Sequence, residues 1–99
     1  MIRGTTPTHI FDTDISLVSA VEIYVTYVQG DTRLEKTIDD VEVTDTTLEL
    51  ELTQEETLMF AADNYKAQVQ IRARFPDGTA VASNICNMLV APILKEGVI

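Results

Sequence analysis

One histidine, one cysteine and a scatter of serines and carboxylates are the groups in this chain that could do covalent or acid–base chemistry. A Ser–His–Asp triad or a Cys–His pair would have to use His9, the single imidazole. Ser16, Ser19 and Ser83 sit in no nucleophile-elbow context, and His9 itself lies in a Thr-rich stretch that reads as a strand. Cys86, between Ile85 and Asn87, has no Lys, Arg or His beside it in sequence to lower a thiol pKa. A small core hydrophobe is the role expected of it. A lone cysteine allows neither an internal disulfide nor a CxxC zinc site. Asp12-Thr13-Asp14 and Asp39-Asp40 offer hard oxygen ligands, but the loop pattern of a calcium hand is missing, and solvated turns are expected there. Four glycines form no phosphate-binding loop. Paired carboxylates for glycoside chemistry would lack aromatic platforms, since Trp is absent. The expectation is a protein that is not an enzyme, with no catalytic residue, no metal site and no cofactor.

The elements that would hold these groups follow a period of two. Leu48, Leu50 and Leu52 alternate with Glu49 and Glu51. Ala67, Val69, Ile71, Ala73 and Phe75 alternate with Gln68, Gln70, Arg72 and Arg74. That is the signature of strands with one face buried. Val21 to Gln29 is rich in β-branched and aromatic residues. Its two stripes, Val21-Ile23-Val25-Tyr27 and Tyr24-Thr26-Val28, predict a strand covered on both faces. Gly30-Asp31 suits a tight hairpin returning through Arg33 to Ile38. Further strands are expected at His9 to Asp12, Val41 to Val43, and Thr79 to Ser83 after the Phe75-Pro76-Asp77-Gly78 turn. Ile85 to Val90 continues the apolar pattern. Thr53-Gln54-Glu55-Glu56 is a capping box, which predicts a helical turn over Gln54 to Phe60.

The sum is a single domain, residues 1–99. Its expected fold is all-β, an immunoglobulin-like β-sandwich of about seven strands with one short helical turn. Tyr65 stands where a tyrosine corner would be. The expected core is Leu48, Leu50, Leu52, Val69, Ile71, Val25 and one of Val21 or Ile23.

Charge narrows the partners. The formal net charge is −9, and eleven acids fall between Asp31 and Asp63 against only Arg33 and Lys36. Such a surface argues against nucleic-acid backbones and anionic membranes as partners. Met1 to Pro7 lacks the apolar core of a signal peptide, and position two holds Ile where myristoylation needs Gly. Synthesis in the cytoplasm without a signal peptide is the expectation. At the other end Ile93, Leu94, Val98 and Ile99 surround only Lys95, Glu96 and Gly97. These four must pack on the domain or on another chain. With Ile2 they form the candidate interface.

Three segments carry a family resemblance: the opening Met1-Ile2-Arg3-Gly4-Thr5-Thr6-Pro7-Thr8-His9, the internal Leu52-Thr53-Gln54-Glu55-Glu56-Thr57, and the ending Leu94-Lys95-Glu96-Gly97-Val98-Ile99. Together they resemble small Firmicute prophage-encoded proteins found among phage structural genes of the tail and baseplate region. The resemblance implies an Ig-like fold, a non-enzymatic structural or interaction role, and a place in the virion. It implies other phage structural proteins, or further copies of the chain, as partners. It brings no catalytic residue. The rival expectation is an acidic binding protein, a DNA-charge mimic or an inhibitor of a basic host protein.

Overall fold

The computed structural model describes residues 1–62 and 66–99. The expected tyrosine corner at Tyr65 lies outside the described residues. Eight strands run in the order β1 (Thr8–Asp12), β2 (Glu22–Gln29), β3 (Thr32–Thr37), β4 (Val41–Val43), β5 (Thr47–Glu51), β6 (Ala67–Arg74), β7 (Ala80–Ala82) and β8 (Cys86–Met88). A 3-10 turn, Ile38–Asp40, precedes β4, and one short helix, α1 (Gln54–Leu58), separates β5 from β6. Two antiparallel sheets result. One is β1-β5-β4. The other is β3-β2-β6-β7, with β8 also paired to β6. The fold is an all-β sandwich.

Alternation does the sorting. Leu48, Leu50 and Leu52 face inward from β5 and its extension, and Ile23, Val25 and Tyr27 meet them from β2. Ala67, Val69, Ile71 and Ala73 complete the layer from β6. Of the pair left open, Ile23 is core, whereas Val21 lies before β2 and is exposed. The second stripe of β2 departs from expectation: Tyr24 is exposed and Thr26 and Val28 are only half-buried. No described element packs over that face. Tyr24, Thr26 and Val28 instead line an open hollow with Arg33, Gln68 and Arg72.

The turns behave as their chemistry requires. Gly30 takes φ +56° between β2 and β3, while Asp31 keeps negative φ. Thr53 caps α1: its hydroxyl accepts the Glu56 N–H at 3.2 Å, and its own N–H donates to Glu56 Oε1 at 2.9 Å. The helix closes earlier than Phe60. Met59 and Phe60 donate three residues back, to Glu56 and Thr57, and that tightening swings Phe60 into the core.

The last edge strand is broken. Along β6, Arg72 pairs with Ala82 and Val69 with Cys86. Three steps on β6 therefore face four on its neighbour, which is a β-bulge. Ser83 fills the break. Its N–H donates to the Ile71 carbonyl at 2.8 Å and its Oγ accepts the Ile71 N–H at 3.0 Å. The bulge splits one edge strand into β7 and β8, and so gives eight strands where about seven were expected.

Leu50→Ala should lower the unfolding free energy by about 2–5 kcal/mol, as a fully buried Leu truncation does. Thr53→Ala should cost about 0.5–2 kcal/mol through the lost cap. Urea denaturation measures both. A Leu50→Ala loss near zero is incompatible with the inward register of β5.

Candidate functional site

The five candidate interface residues come to one end of the molecule, around α1. The first residues run parallel to the segment after β8, with Ile2 opposite Ala91. The Met1 ammonium donates to the Leu89 carbonyl at 2.8 Å. Ala91 N–H donates to Met1 O at 2.8 Å, and Arg3 N–H to Ala91 O at 3.1 Å. Gly4 then turns with φ +73°, so close to the tail that a Cβ there would lie 2.9 Å from Ile93 Cδ1.

Arg3 fastens this end. Its Nε donates to the Phe60 carbonyl at 2.6 Å and its Nη2 to the Leu58 carbonyl at 3.4 Å, satisfying the carbonyl end of α1. Its Nη1 reaches both Glu96 carboxylate oxygens, at 3.0 and 3.1 Å. Gln54, at the other end of α1, donates to the Ile99 carbonyl and accepts the Ile99 N–H. The tail is thus tied at Glu96 and Ile99 while its apolar side chains face outward. Ile93 is half-buried over Gly4. Leu94 is fully exposed, Ile99 nearly so, and Val98 and Ile2 are about half-exposed.

His9 serves the interior. Tyr27, fully buried, places its hydroxyl 2.8 Å from His9 Nδ1. Burial, with the Glu56 carboxylate adding to it, pushes the phenol above its ordinary pKa. Burial also holds the His9 imidazole below its ordinary value, helped by the N-terminal ammonium. A neutral phenol donating to a neutral ring satisfies both. Edge contacts to Phe11, and from Tyr27 to Phe60, pack the pair.

Cys86 is a correction. It is exposed, not core. Its pairing with Val69 turns it toward the space between the sheets, but at an edge that no described strand of the other sheet covers. It lines a groove of about 460 Å³ with Ile71, Ala73 and Val81, beside Asp12 and Asp14 at the end of β1. Thr13 Oγ1, in the same wall, is the one buried side-chain polar atom without a hydrogen-bond partner among the described residues.

Four acids gather on the outer face of the three-stranded sheet. Glu42 and Glu49 stand directly opposite each other, with Asp40 and Glu51 around the same hollow. Like charges so placed repel. Asp40 also acts locally. Its carboxylate accepts the Thr37 N–H at 2.9 Å, which lowers its pKa. Among the described residues no group of three or more His, Cys, Asp or Glu side chains converges as a metal set. No described helix is long and apolar enough to cross a membrane.

No family model, no curated protein and no solved structure matches this chain.

Two acid-sensitive steps follow from the shifted groups. With the imidazole depressed on folding, the unfolded chain takes up the proton first. Stability should therefore start to fall as pH drops through about 6.5, the ordinary His value. Burial raises the Glu56 pKa, but hydrogen bonds from Lys36 and Thr53 outweigh it and leave the carboxyl lowered, so its contribution is lost only below about pH 4.5. His9→Gln should remove the upper step and spare the lower one, measured by urea unfolding across pH 3 to 8.

Proposed function

We propose that this chain is a non-enzymatic interaction module of immunoglobulin-like build, acting as a structural component of a phage tail or baseplate. Its neighbours are other structural proteins of the particle or further copies of itself. The observation that carries the reading is the terminal surface. An apolar tail is tied at Glu96 by Arg3 and at Ile99 by Gln54, yet Leu94, Val98 and Ile99 are left facing solvent. Ordering a tail costs conformational entropy, and a pre-ordered apolar surface does not lose that entropy again on binding.

The strand order supports the immunoglobulin-like part. Reading β1 to β7 as strands B, C, C′, D, E, F and G of that fold gives sheets B-E-D and C′-C-F-G. The helical turn then falls on the E-to-F crossing. In this reading no described strand stands beside β1 in the place of the fold's first strand, and the N-terminal residues pair with the end of the last strand instead. The phage context rests on the resemblance carried by the opening, the α1 segment and the ending of the chain.

The uncompensated row of Glu42, Glu49 and Glu51 favours a second reading, an acidic protein that mimics DNA charge or inhibits a basic host protein. Ionic strength separates the two. Apolar terminal association strengthens or holds as salt rises, whereas acid-driven binding weakens steeply.

Leu94→Asp combined with Ile99→Asp should abolish assembly, with the unfolding midpoint unchanged because both side chains are exposed. Sedimentation velocity of the chain with its particle proteins, or of the chain at high concentration, reads the assembly. Mass spectrometry of purified induced virions checks incorporation. Equal assembly by the variant, or absence from virions, would sink the proposal.

A further inference from the structure

Four strand edges are open among the described residues: those of β1, β3, β4 and the β7–β8 line. Three of them carry protection against stray pairing. The β7–β8 edge is broken by its bulge. β4 is only three residues long and carries Glu42. β3 bears Arg33, Glu35 and Lys36. The five residues of β1, Thr-His-Ile-Phe-Asp, carry a charge only at their last position, Asp12, and Ile10 at their centre is 61% exposed.

The backbone of β1 is half used. Leu52 N–H donates to Pro7 O, and Thr13 N–H to Thr46 O, so the odd-numbered residues bond toward β5. In an antiparallel pair the residues between them point their amides the other way. Thr8, Ile10 and Asp12 therefore direct N–H and C=O groups to an edge that no described strand pairs. On that flank, beyond the end of β1, opens the groove lined by Ile71, Ala73, Val81 and Cys86, with no β5 residue in its wall.

We propose that the β1 edge and this groove form one site that takes an extended segment of a partner chain as an added strand. The free amides supply main-chain hydrogen bonds, and alternate side chains of the guest drop toward the groove. Those inward side chains must be apolar to match Ile71, Ala73 and Val81. The outward ones lie beside Thr8, Ile10 and Asp12, one strand from Glu49 and Glu51, with Asp14 at the groove's end. That rim selects Lys or Arg. The occupant is an amphipathic strand, apolar on one face and basic on the other. A second copy's β1 is a poorer guest: pairing in-plane about Ile10 would put both five-stranded sheets on the same side, where β7 and β8 already floor the space. This site is distinct from the terminal surface and does not rest on it.

The probe is a capped eight-residue peptide of alternating valine and lysine, set against a peptide of the same composition without the alternation. The alternating peptide should bind at least about tenfold more tightly by fluorescence anisotropy, a difference of one decade in Kd. It should also slow the reaction of the Cys86 thiol with Ellman's reagent. Ile10→Pro removes an edge N–H that β5 does not use, and should weaken binding about tenfold or more. Cys86→Arg, at an exposed position, fills and charges the groove and should do the same should the proline variant lose its far-ultraviolet circular dichroism. Leu94→Asp should leave peptide binding untouched. Equal binding of both peptides would reduce the effect to net charge and overturn the proposal. So would full reactivity of Cys86 in the bound state, or a β1-mediated dimer that excludes the peptide.

Discussion

A sandwich of this length has one interior layer, and each strand can give it only every second side chain. Leu48, Leu50 and Leu52 enter from one sheet, and Ile23, Val25, Tyr27, Val69 and Ile71 from the other. With no Trp to fill space, Tyr27 is the largest fully buried side chain among the described residues. A phenol in that position needs a partner for its hydroxyl, because burying it unpaired would cost on the order of 1–3 kcal/mol. His9 provides it, and only from the inward face of β1. The contact therefore helps hold β1 against the rest of the core. A one-residue slip of β1 would put Thr8 or Ile10 inside and orphan the hydroxyl. The register that leaves Thr8, Ile10 and Asp12 pointing at an empty edge is thus tied to the core.

Three cations are engaged away from the acidic sheet face. Arg3 holds Glu96 and the end of α1. Lys36 pairs with Glu56, joining β3 to α1, and Arg74 pairs with Glu22. The Lys36–Glu56 pair is largely shielded from water, so removing either partner leaves a poorly solvated charge. With these cations engaged, Glu42, Glu49 and Glu51 face solvent without an ion pair among the described residues. Part of the acidity in the middle of the sequence, Glu42, Glu49 and Glu51, shares one sheet face, because β4 and β5 sit side by side.

Period-two alternation is enough to read the strands of the core and the inward leucines of β5 directly from the residues, and a capping box the helical turn. Those features are local: parity, a cap and a hairpin glycine act over a few positions. Pairing between distant segments is not local, and that is where the readings failed. Cys86 sits in an apolar run, and nothing in Ile85-Cys86-Asn87 reveals that it faces the space between the sheets at an edge no described strand of the other sheet covers. Tyr24, Thr26 and Val28 have strand propensity, which says how a backbone prefers to lie and not whether another layer covers it. The terminal residues could be picked out as apolar, but their geometry depends on Arg3 reaching Phe60, Leu58 and Glu96 at once. No spacing rule announces a contact between residues 3 and 96.

The same arginine makes the terminal surface cooperative. Its guanidinium bonds the carbonyls of α1 and the Glu96 carboxylate together, while its backbone continues the parallel pairing at Ala91. The arm and the tail bond to each other and to the residues around α1. Pro92 removes one backbone donor, and Gly4 and Gly97 are turns of positive φ. Gln54 adds the last tie at Ile99, from the first residue of the helix whose far end Arg3 caps. The capping box at Thr53 thereby acts beyond α1. By fixing the first turn it fixes Gln54, and through Gln54 the placement of Ile99. A five-residue helix too short to be stable in isolation is held by the core through Thr57 and Phe60, and in turn it is the post to which both chain ends are fastened.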